Sequence, residues 1–150
     1  MPDNIDILTS FVDTIKNDVI HSMQANNRVG TGDTIKELTE VAGDDYVALL
    51  APWWIDAQEY GRKPTSPTGP YQISDPSFID RLKAWCAAKG IVQGAAYAIK
   101  KKIDKEGYEG KPGVLTEPLG IDNINMRLDP ICEQMADNEA QKVLDVFNNW

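Results

Sequence analysis

The chain is poor in the residues from which catalytic and metal centres are usually built: it has one histidine, His21, and two cysteines, Cys86 and Cys132. One imidazole and two scattered thiols make no familiar zinc site, and neither cysteine has a second close by for a Cys-x-x-Cys motif. A Cys–His nucleophile needs the fold to bring His21 to a thiol, and nothing in the spacing signals that. Both cysteines fall in helical sequence and read as buried, reduced thiols. Long apolar runs are also missing, so no segment has the ~20 residues of a membrane span. The start, Met1-Pro2-Asp3-Asn4, lacks the basic and apolar regions of a signal peptide, which predicts a protein made and assembled in a cytosol. Gly30-x-Gly32 lacks the lysine of a phosphate-binding loop. Positive charge is short as well: 15 Lys+Arg against 23 Asp+Glu give a net charge of −8. That balance disfavours non-specific binding to nucleic acid or an anionic membrane. The run Lys100-Lys101-Lys102 therefore reads as a solvated helix face.

What is present suits one folded unit. A chain of 150 residues that is 42% hydrophobic has enough apolar content for one core. The reading is a single domain over residues 1–120 with 121–150 as its helical extension. Ile5, Leu8, Val12, Ile15 and Val19 recur every three or four residues, predicting a helix from Asp3 to Gln24. A short turn carrying Ile35 and Leu38 follows, then two extended stretches, 38–42 and 46–51. Gly43-Asp44-Asp45 between them lacks the ligand spacing of a calcium loop and reads as a hairpin turn. Pro52 to Gly61 reads as a short helix, on which Asp56 and Glu59 are expected to be solvated surface acids. Lys63 to Pro70 is a proline-rich extended loop. Asp75-Pro76 opens a helix that Lys89-Gly90-Ile91 closes in a Schellman turn. A second helix is predicted from Val92 to Glu106, ended by Gly107, and Tyr108 to Leu119 reads as a loop or short arm. The tail from Ile121 is helical again, with Asp129-Pro130 as a kink or a new start. The fold class is α+β: helix-dominated, with a small antiparallel sheet, a long N-terminal helix and a helical C-terminal tail.

Trp53-Trp54 is the most informative pair. Neighbours on a helix point about 100° apart, so the two indoles cannot both enter one core. One is expected inside and the other at a surface or partner, and Arg62 and Lys63, just after, are of a type that accompanies such anchors.

The order of these pieces carries a resemblance. It runs through a long N-terminal helix, Gly30-Thr31-Gly32, a hairpin, the block Ala51-Pro52-Trp53-Trp54 to Tyr60-Gly61-Arg62-Lys63-Pro64, and a proline loop. It continues with Leu82-Lys83-Ala84-Trp85-Cys86, the alanine-rich Ala95–Ile103 helix, Glu106-Gly107 and Gly110-Lys111-Pro112. This resembles the tail-completion, or head–tail joining, family of tailed bacteriophages. The likeness covers residues 1 to 119 and is most specific from Pro52 to Pro112. The acidic balance departs from the basic first helix common in that family, and the tail from Ile121 has no counterpart there. The resemblance implies a non-enzymatic virion protein, assembled in the host cytoplasm, that forms a homo-oligomeric ring, often six-fold, between the portal or its adaptor and the tail. It implies no cofactor, no sequence-specific nucleic acid and no membrane, and an acidic lumen would let DNA pass. Interface residues expected on this reading are Trp53, Trp54, Tyr60, Arg62 and Lys63. The loop prolines Pro64, Pro67 and Pro70 and the arm residues Tyr108, Lys111, Val114 and Leu115 complete the set. Trp54→Ala or Arg62→Ala is then expected to leave a folded monomer that assembles poorly. The rival readings are a small adaptor or regulatory domain that binds one protein partner through the same aromatics, and a small hydrolase using His21 with a cysteine.

Overall fold

The computed structural model describes residues 2–68 and 77–149. Helix α1 (Asn4–Ala25) opens with a capping box, in which Asp3 and Asp6 each take the other's backbone N–H, and buries Ile7, Ile15, Val19 and Met23. It closes in a Schellman turn: Arg28 N–H donates to Met23 O, Asn27 N–H to Gln24 O, and Asn27 takes φ +56°. The short α2 (Asp33–Lys36) leads into β1 (Thr39–Ala42) and β2 (Val47–Leu50), paired antiparallel with Ala42 opposite Val47. The predicted hairpin is present, and it lies on α1, tied there by the Lys16–Glu40 ion pair at 2.8 Å. Leu38, Val114, Leu115, Val19 and Met23 form the main core, with Leu49 and Ile55 packed against it.

The segment after Pro52 is not one helix. Trp53–Asp56 is a 3-10 turn and only Ala57–Tyr60, α3, is α-helical. Helices α4 (Ser77–Ala88) and α5 (Ala95–Glu106) form a hairpin with a core of its own, where Leu82, Cys86 and Ala96 meet Phe78, Trp85, Ile99 and Ile103. Ile91 N–H donates to Cys86 O at 2.8 Å and Gly90 N–H to Ala87 O, which is the predicted Schellman turn. Helix α5 begins three residues later than the apolar pattern indicates, because 92–94 are spent on the turn between the helices. The predicted cap at Asp75-Pro76 lies outside the described residues.

Helix α6 (Ile121–Asn148) runs without a break through Pro130, so of the two readings, a kink or a new start, the new start does not occur. Pro130 lies on the exposed side, where the carbonyl it leaves unbonded meets water. Antiparallel to α1, α6 turns Ile124, Leu128, Ile131, Met135 and the buried Asn138 toward it. Polar ties mark both ends of the contact. Asp18 takes Asn123 and Arg127 at 3.0 and 3.2 Å, while Asn138 donates to Pro2 O and to Asn4. Cys132 faces outward and is exposed, contrary to expectation; only Cys86 is buried.

Candidate interaction cleft

Two chain segments cross with their backbones in contact, and glycine makes the crossing feasible. Arg62 N–H donates to Tyr108 O and Tyr108 N–H to Arg62 O, both at 2.9 Å. Gly61 and Gly107 stand beside these residues with φ +77° and +70°. A Cβ on Gly61 would lie 2.2 Å from Tyr108 O, and one on Gly107 would lie 2.0 Å from Arg62 O. Neither position has room for a side chain or the dihedral for one. Thr65 N–H donating to Asp104 O continues the contact.

Arg62 is buried within this crossing. Its guanidinium donates to Thr65 Oγ1 and Ile103 O, lies 3.7 Å from Asp104, and stacks 4.6 Å over the Phe78 ring. Asp104 also takes Lys100 and the Thr65 hydroxyl, both at 2.5 Å. Burial pushes the Asp104 carboxyl up, but the bonds from Lys100 and Thr65 and the charges of Lys100 and Arg62 outweigh it, leaving its pKa below the ordinary value. The first lysine of the Lys100–Lys102 run is thus half-buried and paired, while Lys101 and Lys102 are solvated as expected.

Glu59 departs furthest from its sequence reading. It is 6% exposed, and its carboxylate accepts four hydrogen bonds from the 113–116 turn. The donors are the backbone N–H groups of Gly113, Leu115 and Thr116, at 3.1, 2.7 and 2.7 Å, and the Thr116 hydroxyl at 2.5 Å. Burial raises the carboxyl's pKa; the four donors lower it by more, so Glu59 is a stronger acid than free glutamate. It fastens the 113–116 turn to α3. Asp56, in contrast, is exposed as predicted.

Between the α4–α5 hairpin and the rest of the fold lies a cleft of about 1020 Å³. One wall is the Trp53-Trp54 turn, whose rings meet edge to face at 5.9 Å, and the other is the face of α4 with Phe78, Arg81 and Trp85. The 27–34 segment that follows α1 lines the cleft as well, as do Arg62 and Tyr108. The tryptophans divide as predicted: Trp53 is 59% exposed, whereas Trp54 is half-buried. Trp54 Nε1 donates to the Thr34 hydroxyl, and Arg81 lies 5.2 Å over its ring. Arg28, Arg62, Arg81 and Lys89 line the cleft together with Asp33, Glu37 and Glu109, and Arg62 is already paired with Asp104.

Trp53 and Trp54 from the 3-10 turn, Arg62 and Tyr108 thus share the cleft. Tyr60, Lys63, Pro64, Pro67 and Lys111 are exposed around the crossing. Val114 and Leu115 are not surface residues. Val114 is 0% exposed, and both side chains belong to the main core, because the turn that Glu59 holds points them inward. Pro70 lies outside the described residues. Sequence reasoning missed Phe78, Arg81 and Trp85 as cleft residues. The signal was their spacing at i, i+3 and i+7, which puts all three on one face of α4.

His21 is exposed on α1, Cys86 is buried in the hairpin core and Cys132 is exposed on α6. Among the described residues, no group of three or more His, Cys, Asp or Glu is placed to hold a metal ion, and no helix is long and apolar enough to cross a membrane. No protein-family profile, curated protein or solved structure matches the chain.

Proposed function

We propose that this chain is a non-enzymatic structural subunit of a tailed-phage neck, a tail-completion ring that joins the portal or its adaptor to the tail within the virion. The observation that carries the reading is unspent surface. A compact monomer of 16.6 kDa exposes about 7,600 Å². This chain exposes 9827 Å², an excess of roughly 2,200 Å² over that expectation. Subunits of obligate assemblies bury about 1,000–2,500 Å² each. The excess is apolar in part: Trp53, Tyr60, Tyr97 and the α6 residues Val143, Leu144 and Phe147 are all exposed. The likeness over residues 1–119 supplies the class, and the glycine-dependent crossing gives its Tyr-Gly-Arg and Glu-Gly elements a physical reason.

The test is made on an infected or induced bacterial lysate, fractionated on a gradient with this chain quantified by peptide mass spectrometry. Co-migration with intact particles, at a ratio to the portal subunit that fits a single ring, is the expected result. Recovery only at the light end of the gradient, in a small complex with one protein, overturns the reading in favour of the adaptor.

A further inference from the structure

We infer that copies of this chain dock on one another through opposite charge, the outward face of α5 on one copy lying along the outward face of α6 on the next. This deepens the ring reading and rests on it only for the closure of successive contacts into a ring.

Charge is divided unevenly along the sequence. Residues 62–111 hold ten of the 15 Lys+Arg and five of the 23 Asp+Glu, a net charge of +5, so the remaining 100 residues carry −13. In the fold this division becomes two stripes. On α5, Tyr97, Lys101 and Lys105 follow one another at i, i+4 and i+8, all exposed, with Lys102 beside them. On α6, Asp122, Met126, Asp129 and Glu133 recur at i, i+4, i+7 and i+11, again all exposed, with Asp137 next in line. At 100° per residue, the α5 stripe centres roughly 170° round its helix from Ala96, Ile99 and Ile103, which pack on α4. The α6 stripe centres roughly 160° from Ile124, Leu128, Ile131 and Met135, which turn toward α1. Among the described residues, none of these three lysines or four carboxylates has an ion pair within the chain, whereas Lys16, Lys100, Arg127 and Lys142 each have one.

The stripes match in spacing as well as in sign. Tyr97 to Lys105 spans about 12 Å of helix, and Met126 to Glu133 about 10.5 Å. Laid side by side in the same direction, the two helices set Tyr97 against Met126, Lys101 against Asp129 and Lys105 against Glu133. That register makes one aromatic–sulfur contact and two ion pairs. The ion pairs set the register and the salt dependence, while Tyr97 and Met126 exclude water between them. The negative charge outside residues 62–111 selects the occupant. An extended polyanion on the α5 stripe would run on over a body of charge −13 and be repelled. Every copy of the chain, by contrast, presents a carboxylate stripe of the required spacing. The two stripes lie on different surfaces of one molecule, so the contact is heterologous and propagates into rings or filaments and not closed pairs.

The test is sedimentation velocity on the full chain at about 100 µM, in about 50 mM and about 500 mM salt. Three charge variants accompany wild type: Lys101→Glu with Lys105→Glu, Asp129→Lys with Glu133→Lys, and the four changes combined, which leave the net charge unaltered. Wild type is expected to form species larger than dimers at low salt, its association weakened at least about tenfold at high salt. Each reversal alone sets like charges face to face and is expected to weaken association at least about 100-fold. The combined variant is expected to associate again, to within about threefold of wild type. Near-UV circular dichroism checks folding. If a reversal does not fold, the neutral pairs Lys101→Gln with Lys105→Gln and Asp129→Asn with Glu133→Gln are expected to weaken association at least about tenfold. Wild type that stays monomeric or stops at a dimer, a single reversal or neutral pair that associates normally, or a folded combined variant that stays monomeric each overturns the inference. Monomeric wild type that binds a DNA duplex of about 20 bp through Lys101 and Lys105 overturns it in favour of a polyanion. Particle incorporation separates the two proposals. A single reversal found in particles at the wild-type ratio sinks this contact and leaves the ring reading standing. Wild type absent from particles, with association restored in the combined variant, sinks the ring reading and leaves the contact.

Discussion

Glu59→Gln removes one negative charge from a site that has little access to water, and its cost can be worked from the geometry. The carboxylate takes three backbone N–H groups and one hydroxyl. An amide oxygen in place of Oε2 keeps Leu115 and Thr116 N–H, now as neutral bonds, each weaker by about 1 kcal/mol. The new NH2 group faces Gly113 N–H donor to donor, which leaves that group unpaired at about 1–3 kcal/mol. The sum is a loss of about 3–5 kcal/mol. At a urea dependence near 2 kcal/mol/M this moves the unfolding midpoint down by about 1.5–2.5 M, and for a domain of this size lowers Tm by roughly 6–20 °C. Acid provides an internal control. Because the folded pKa of Glu59 is depressed, its stabilising effect is full above the unfolded value near 4.5 and is lost as pH falls through the lower folded value. The gap between wild type and Glu59→Gln is therefore constant at neutral pH and narrows below about pH 4.5. A midpoint shift under 0.3 M at pH 7, or a gap that does not change with acid, would refute the assignment of Glu59 as the fastener of the 113–116 turn.

Arg62→Ala is expected to cost about 2–4 kcal/mol, since it strips a buried partner from Asp104 and Phe78, whereas Lys63→Ala next to it stays within about 0.5 kcal/mol; paired denaturation curves check this. The stability loss replaces the selective assembly defect expected from sequence. Gly61→Ala and Gly107→Ala each force a Cβ into a carbonyl of the crossing and are expected to abolish hydrogen-exchange protection at the Arg62 and Tyr108 amides; protection at the wild-type level refutes the close approach. A thiol reagent is expected to modify Cys132 in the native protein and Cys86 only in denaturant, one equivalent and then two; two native equivalents would place Cys86 outside the hairpin core.

Periodicity made the helices and the hairpin legible, because apolar residues at helical or alternating spacing declare their elements locally. Ends were readable where a cap has its own chemistry, as at Gly90. Pro130 does not start a new helix, because its local cost is outweighed by the long contact of α6 with α1. Glu59 and Arg62 did mislead. Both are charged residues in a polar stretch, and what buries them arrives from 40 to 60 positions further along the chain. Val114 and Leu115 looked like an exposed arm between glycines and prolines, and only the distant carboxylate of Glu59 turns them inward. The division of Trp53 from Trp54 was legible from helical angles alone, although the segment proved to be a 3-10 turn.

The crossing at Arg62 and Tyr108 makes the whole excursion from 63 to 107 a closed lobe with a pinched neck, its entry and exit only about 5.5 Å apart. Such a lobe is a candidate for opening as a unit, its α4–α5 core released while α1, the sheet and α6 stay folded. Arg62 and Tyr108 line the cleft together with α4, so its shape depends on the neck being shut. A ligand that binds only the closed form would hold the neck shut, and a mutation that opens the neck would weaken that binding in proportion to the closed population lost.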